Sequence, residues 1–473
     1  MPERQIYLLS PRELSPETIA VAFAKTSRSP ESFREIAQSL TDEASARFHE
    51  RWVIGYGHAS VAEHAVLHIA IENVSRLAIE AIESNRLASY TEKSTRYQKW
   101  GPEDFILPPE LENHPLRDEF IETVQLLFST YAASLEPVRQ VVAQQFPRRQ
   151  EESDEAWDRR IRSRYVDVCR FLLPTAAVAN VGMTVNAREL EHAIRKFLSH
   201  PLAEVRAIGE QIKEAAQAET PTLIKYAEAV PSLAQTREAL EQAASTLDLP
   251  PATAETDFCT LVDYDRAGEE TVLAAALYRF GEMPFDQALT YVQHRSPEER
   301  LGLVQALLGN LESPHDIPLR ELEYCSYTFD LIMDQGAYAE FKRHRMMTQT
   351  PQRLTTRLGY AIPRLIEEAG LRPQYESALQ RAAQVYEKLA AWNPHVAQYV
   401  VPNGFYRRVL ARFNLRNAYH FCRLRSAPNA HFSIRKIAER IAEEIRRVHP
   451  ALSAFMFLPD ETWQEVDANH FTR

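Results

Sequence analysis

The stretch RLASYTEKSTRY, residues 86–97, gathers arginine, glutamate, serine, threonine and tyrosine side chains with almost nothing apolar. It follows residues 74–83, whose apolar positions recur at helical spacing and predict a buried helix. An ordinary connection turns with Gly, Pro, Asn and Asp, whereas hydroxyl, carboxylate and guanidinium groups bind phosphates and anionic heterocycles. The stretch therefore predicts a binding segment at the end of a helix.

A partial echo of this stretch occurs later in the chain as FKRHRMMTQTPQRLTTRLGY, residues 341–360. Other features recur in the same order. Ser-Pro-Glu helix starts lie at 29–31 and 296–298, and Asn-x-Arg lies at 186–188 and 414–416. A repeated order of elements is stronger evidence of duplication than any one match. The sequence therefore predicts two copies of one unit.

The length of 473 residues suits two domains rather than one core, and 45% hydrophobic with 25% charged residues is typical of a globular protein. Residues 230–256, rich in Ala, Thr, Gln and Pro, are the predicted linker. We predict a first domain at 1–229 and a second at 257–473. The fold class is predicted to be α+β, with a small mixed sheet and long flanking helices in each domain.

The formal charge of −11 argues against binding to nucleic acid or to an anionic membrane, since such proteins carry an extended basic face. The four cysteines form no CxxC pair and lie among apolar neighbours, which indicates reduced core residues and a cytoplasmic protein. We expect neither a signal peptide nor a membrane span.

A metal site is suggested by His64 and His68, four residues apart with Glu63 beside them. On a helix this spacing can chelate zinc. However, Leu67, Ile69 and Ile71 alternate as in a half-buried strand, where four residues span about 13 Å, too far for one ion. We therefore predict no metal, with a zinc enzyme as the alternative.

Four residues at the start of this region, His58, Ser60, Glu63 and His64, fit the pattern H-x-S-x-x-E-H. With the stretch at 86–97 and the two Asn-x-Arg segments, they resemble the signatures of the flavin-dependent thymidylate synthases. The resemblance covers nearly the whole of both halves. It implies a family domain duplicated in tandem, with partly degenerate motifs in each copy.

The two copies differ in which family residues they keep. The first half keeps the Glu-x-Ser-x-Arg loop and an early phosphate-binding arginine, namely Glu92, Ser94, Arg96 and Arg170. The second half keeps the Arg-His-Arg segment and the late arginine, namely Arg343, His344, Arg345 and Arg425. In the family each nucleotide site combines these two sets from neighbouring chains. The resemblance thus predicts a pseudo-dimer with one composite site and one lost site.

The resemblance implies FAD as cofactor, with methylenetetrahydrofolate and NADPH as co-substrates, and conversion of dUMP to dTMP. The implied FAD-binding residues are Ser60, Glu92, Arg343, His344, Arg345, Asn414, Arg416 and His420. The implied substrate-binding residues are Glu92, Ser94, Arg96, Arg170, Arg343 and Arg425. Of these, Arg425 and Ser94 are the implied catalytic residues. A homodimer giving a four-domain assembly is also implied.

Some positions depart from the family pattern. Thr91 stands where the family has asparagine, and Glu340 stands where it has a glutamine three residues before Arg-His-Arg. A glutamate there would lie beside a uracil or a phosphate. Two alternatives therefore stay open: flavin-dependent modification of another nucleotide, and a flavin- or nucleotide-binding protein without catalysis.

Overall fold

A computed structural model describes residues 7, 9–26, 29–96, 98–247 and 257–472. The chain forms two compact units. The first unit comprises Met1–Ser94, Asp104–Asp118 and Ala176–Pro250, and the second comprises Thr95–Glu103, Glu119–Thr175 and Pro251–Arg473. Compact units need not coincide with sequence repeats, so the domain boundaries 1–229 and 257–473 stay a prediction.

Helices make up most of the regular structure. In chain order the α-helices are α1 Pro16–Thr26, α2 Phe33–Gln38, α3 Asp42–Phe48, α4 Arg76–Glu83, α5 Arg117–Gln145, α6 Asp154–Cys169, α7 Ala187–Leu198, α8 Ala203–Gln217, α9 Pro231–Ser245, α10 Gly268–Gly281, α11 Phe285–Gln293, α12 Pro297–Leu308, α13 Gln335–Phe341, α14 Arg364–Glu368, α15 Arg372–Trp392, α16 Leu415–Ser426, α17 Phe432–Val448, α18 Pro450–Ser453 and α19 Trp463–His470. A π-helical segment covers His49–Gly55. The 3-10 turns are Ala59–His64, Pro109–Leu111, Arg170–Leu172, Arg320–Tyr324 and Val396–Val400.

The strands hold fewer residues than the helices, and the longest of them have nine or ten residues. In chain order the strands are β1 Val66–Ser75, β2 Ala88–Glu92, β3 Val178–Asn186, β4 Cys259–Tyr264, β5 Ser326–Asp334, β6 Thr348–Pro351, β7 Ile362–Pro363, β8 Tyr406–Asn414 and β9 Phe471–Thr472. This mixture of many helices with small sheets confirms the α+β class.

The first unit contains a sheet of order β1-β3-β2. Leu67 and Ile71 of β1 are buried, whereas Val66 and His68 are exposed, which confirms the strand predicted from their alternation. The buried helix predicted at 74–83 is α4, which follows β1 directly. It leads to β2 and the stretch that begins at residue 86.

The second unit repeats this arrangement as β5-β8-β6 and adds β4 beside β5. Mixed sheets were expected, but the pairs within the described sheets are all antiparallel. The reason is the strand order. A helix links β1 to β2 so that they run in the same direction, but β3 lies between them and runs the opposite way.

Three chain segments of the second unit carry charged residues towards one place. Helix α13 begins where β5 ends, with Asp334 as its N-cap, and carries Glu340 in its last turn. Helix α16 begins where β8 ends, with Asn414 as its N-cap, and carries Arg425 in its last turn. Helix α6 ends at Cys169, so Arg170 starts the 3-10 turn that follows.

Several smaller predictions concern the rest of the chain. All four cysteines are buried and free, as predicted. In the described residues, no helix is long and apolar enough to cross a membrane. The predicted linker contains α9, which has no buried residue, and its remainder from 248 to 256 lies outside the described residues. The strand predicted at 6–9 also lies partly outside them, and so does Tyr97.

The N-cap of α13 gives a pH-dependent prediction. Asp334 Oδ1 accepts the N–H of Ala337 at 2.8 Å, and burial raises the pKa of Asp334 to about 6. The pKa of an unfolded Asp is about 3.9. The folded protein therefore keeps a proton that the unfolded chain releases, so the free energy of unfolding falls as pH rises between these values.

We predict that Asp334→Asn, which keeps the capping acceptor and cannot ionise, is more stable than the wild type at neutral pH. Asp334→Ala should be about 1 kcal/mol less stable than Asp334→Asn, because it loses the cap. Urea unfolding at pH 4 and pH 7 measures both differences. A less stable Asp334→Asn at pH 7 would show that the charged carboxylate stabilises the helix.

Candidate functional site

The carboxylate of Glu340 joins two arginines from distant parts of the chain. Its Oε1 lies 3.3 Å from Arg170 Nη2, and its Oε2 lies 2.9 Å from Arg425 Nη1. The three side chains are only 12%, 7% and 14% exposed, respectively. All three belong to the second unit, although Arg170 comes from the first half of the sequence. One anion therefore holds a guanidinium group from each half.

The buried carboxylate of Asp167 holds the side chain of Arg96 in place. Arg96 donates from Nε to Oδ1 at 2.9 Å and from Nη2 to Oδ2 at 2.8 Å, a two-pronged pair. Arg170 Nε lies 3.7 Å from the same carboxylate, and Arg170 Nη1 donates to Thr95 Oγ1 at 3.0 Å. Burial raises the pKa of Asp167, and the two guanidinium groups oppose that rise.

His344 completes the cluster as a neutral group. Arg425 donates from Nε to His344 Nε2 at 2.9 Å, and since a guanidinium has no acceptor, Nε2 carries no proton. Burial, and then the charges of Arg425, His420 and Arg343, lower the pKa of His344 to about 3. The rings of Phe421 and His344 pack edge to face, with centroids 4.8 Å apart.

A cavity of about 360 Å³ lies along another face of α16. The cavity is lined by Arg416, His420 and Arg423, whose spacing places them on one face of α16. Asn414, the N-cap of α16, lines it as well. The cavity volume is within the range of small-molecule sites. Further lining residues are Leu311, His315, Asp316, Ile317, Pro318, Glu323, Met346, Asn417, Tyr419 and Phe457.

Carboxylates around this cavity are engaged within the protein. Glu323 Oε1 accepts from Arg416 Nη1 at 2.8 Å, and Arg416 Nε donates to the Pro318 carbonyl at 3.1 Å. Asp316 Oδ2 accepts the N–H groups of Glu312 and Ser313 at 2.7 and 2.8 Å. These backbone hydrogen bonds lower the pKa of Asp316. The cavity thus combines the Arg416 guanidinium, which is held by Glu323 and Pro318, and that of Arg423 with apolar walls, and this composition fits a ligand that has an aromatic ring and a phosphate.

Of the other residues implied by the resemblance, Arg343 and Arg345 lie on the turn after α13, with Arg343 exposed. Ser60, Glu92 and Ser94 belong to the first unit. Ser60 is exposed on the 3-10 turn Ala59–His64. The Glu92 side chain is 2% exposed and forms an ion pair with Arg76 at 2.8 Å, a partner that the motif did not reveal.

Within the first unit, residues of two signatures bind each other. Glu63, of the first signature, forms an ion pair with Arg188, of the Asn-x-Arg segment. His68 is hydrogen-bonded to Thr184 on the adjacent strand. Across the described residues, no group of three His, Cys, Asp or Glu side chains is placed to hold a metal ion.

One position in the second unit explains how a motif residue was replaced. Gln398 stands where the first half has Arg170, and it is buried. Its Oε1 accepts the N–H of Leu354 at 3.1 Å, and its backbone carbonyl accepts from Thr175 Oγ1. In this copy the position therefore stabilises packing instead of presenting a charge.

Arg96, Arg170, His344 and Arg425, which the resemblance implies for one site, lie close to one another in the structure. Sequence reasoning noted Glu340 only as a departure and missed Asp167. The position of Asp167 three residues before Arg170 was an available signal, because residues at that spacing are neighbours on a helix. Glu323 was also missed, and its position in the first half is taken by Glu63.

Comparison with known proteins places the chain in a family. The sequence matches the family described as thymidylate synthase complementing protein over residues 10–222 and again over residues 260–451. The chain therefore belongs to this family. Two matched segments in one chain confirm the resemblance to a tandem-duplicated family domain.

Relatives fall into two kinds. A UPF0159 protein of Chlamydia muridarum is 31% identical over 90% of this chain and 83% of its own length. A UPF0159 protein of Thermoplasma acidophilum is 28% identical over 88% of this chain and 89% of its own length. A flavin-dependent thymidylate synthase of Clostridium tetani is 27% identical over 45% of this chain and 82% of its own length. The match to proteins of the first kind thus covers about nine-tenths of this chain.

Removal of a carboxylate from the buried cluster should destabilise the protein more than removal of an exposed carboxylate. Asp167→Ala should lower the free energy of unfolding by about 3 kcal/mol, because it removes the buried carboxylate that accepts three hydrogen bonds from Arg96 and lies 3.7 Å from Arg170. Glu387→Ala is the matched control, since Glu387 pairs with Arg357 where both side chains are at least half exposed; its effect should stay below about 1 kcal/mol. Urea unfolding gives both values, and equal losses would contradict the account.

The neutral state of His344 predicts its titration behaviour. The NMR signals of its ring, assigned with His344→Gln, should not shift between about pH 5 and 8, because the lowered pKa keeps the ring unprotonated. The unfolded chain takes up a proton below about pH 6.5. The stabilisation from neutral His344 is therefore complete above that pH and is lost as pH falls. A ring that titrates near 6.5 in the folded protein would refute this assignment.

Proposed function

We propose that this protein is a flavin-dependent thymidylate synthase that methylates dUMP to dTMP, with one composite nucleotide site in the second unit. The observation that carries the proposal is the shared binding of Glu340 by Arg170 and Arg425. Two enclosed guanidinium groups that converge on one carboxylate can also bind the anionic group of a substrate.

The roles of the arginines follow from their chemistry and from the family. Arg96 and Arg170 would bind the nucleotide phosphate, where a planar two-pronged donor is superior to lysine. Arg425 would lie against the pyrimidine ring and stabilise negative charge on it, which activates the carbon that is methylated. Neutral His344 would hold the Arg425 guanidinium in that orientation. The resemblance also implies substrate contacts for Glu92 and Ser94, with Ser94 as the second catalytic residue; both belong to the first unit, and these roles stay predictions.

The cofactor would be held by Asn414, Arg416 and His420 at the cavity on α16, with Arg343, His344 and Arg345 as further family contacts. Ser60 and Glu92, which the resemblance also implies, belong to the first unit, and their role stays a prediction. Bound flavin supplies the hydride, methylenetetrahydrofolate the carbon, and NADPH the reducing equivalents. The protein itself contributes placement and charge. A cytoplasmic homodimer of this chain would match the four-domain assembly of the family.

A second candidate function is flavin-dependent modification of another nucleotide, or nucleotide binding without catalysis. The observation that favours it is Glu340 itself, because its carboxylate accepts hydrogen bonds, and a base with an amino group offers more donors than uracil, whose one ring donor is N3–H.

We predict that the purified protein, supplied with FAD, NADPH and methylenetetrahydrofolate, forms dTMP from dUMP. Arg170→Ala and Arg425→Ala should each lower kcat/KM by about 100-fold or more, since each removes a charge-stabilising donor. Arg357→Ala, which removes an exposed arginine of the same unit, is the control and should leave the rate unchanged. Flavin binding without any dTMP would favour the second candidate function, and full activity of Arg170→Ala would exclude the composite site.

A further inference from the structure

The two arginines assigned to the nucleotide already share an anion that belongs to the protein. Each oxygen of the Glu340 carboxylate faces one guanidinium group, at 3.3 Å for Arg170 and 2.9 Å for Arg425. Glu340 thus fills an anion site that the two arginines would otherwise offer to a ligand.

We propose that Glu340 is a built-in competitor for the anionic group of the ligand, so that its carboxylate must leave Arg170 when a phosphate binds there. The inference rests on the proposed function only for the identity of the ligand as a nucleotide. The competition itself concerns any phosphate.

The charges of the cluster support displacement over simultaneous binding. Arg96, Arg170 and Arg425 bring three positive charges, and Asp167 and Glu340 bring two negative ones. A phosphate that entered with Glu340 in place would meet a like charge at contact distance, where little solvent screens the repulsion. One of the two carboxylates therefore has to move away.

The hydrogen bonds indicate which carboxylate moves. Asp167 receives three hydrogen bonds from Arg96, at 2.8 to 3.1 Å, in a two-pronged geometry. Each Glu340 oxygen receives a single hydrogen bond, and the one from Arg170 is long at 3.3 Å. Glu340 also has the longer side chain, with one more rotatable bond through which it can swing away. Glu340 is therefore the carboxylate that yields.

Neutralising Glu340 should then favour charged ligands selectively. Glu340→Gln has the same shape and no charge, so phosphate-bearing ligands should bind at least tenfold more tightly. Uncharged deoxyuridine should bind as it does to the wild type. Glu340→Asp keeps the charge but is too short to span both arginines, so it should show a smaller gain and serves as a second variant if Glu340→Gln folds poorly.

Isothermal titration calorimetry on the full chain tests this with three probes: dUMP, inorganic phosphate and deoxyuridine. Glu387→Gln, which removes an exposed carboxylate of the same unit, is the matched control and should bind like the wild type. Tighter binding of dUMP and phosphate to Glu340→Gln, with deoxyuridine unchanged, supports the proposal. Tighter binding of phosphate with no dUMP binding also supports the proposed competition by Glu340. That result contradicts the proposed function.

Weaker or unchanged phosphate binding to Glu340→Gln would overturn the inference, because it would show that Glu340 holds the arginines in position. An equal gain for deoxyuridine would also overturn it, since the effect would then not depend on charge. Absence of phosphate binding to every variant would overturn it as well.

Discussion

The arrangement of the second unit around its candidate site depends on the ion pairs of one carboxylate. Arg170 and Arg425 are too enclosed to leave their charges to solvent, and a buried charge without a partner is strongly destabilising. The carboxylate of Glu340 forms an ion pair with each of these two arginines. Through it, the 3-10 turn after α6, the last turn of α13 and the last turn of α16 are held together. A segment from the first half of the sequence thereby becomes part of a site built mainly from the second.

The two units share one architecture but differ in the ion pairs that their motif residues form. Both have an antiparallel sheet with the late strand in the centre, and in both an Asn at the end of that strand caps the next helix. In the first unit, Glu92 is paired with Arg76, and Glu63 is paired with Arg188. In the second, arginines from both halves of the sequence converge on one carboxylate. A retained fold therefore does not imply a retained site.

Local sequence patterns predicted several secondary-structure elements and the duplication. The alternation at Leu67 and Ile71 predicted β1, helical spacing predicted α4, and the repeated order of motifs predicted the duplication. The resemblance to the family implied that Arg170 and Arg425 serve one site. It could not predict that Asp167 and Glu340 supply their counter-charges, because those contacts join segments that only the tertiary fold brings together. The expectation of mixed sheets was wrong for a similar reason. The insertion of β3 between β1 and β2 is set by packing and not by strand propensity, so the sequence did not reveal it.

We propose that one chain carries one complete nucleotide site, with both arginines supplied by the same molecule. The most direct test is to co-express Arg170→Ala and Arg425→Ala under different tags, purify the species that carries both tags together with each variant alone, and assay dTMP formation. The account predicts no recovery in the mixed species, because neither chain has both arginines. Recovery of a substantial share of wild-type activity would contradict it, since it would show that the site is completed between two chains.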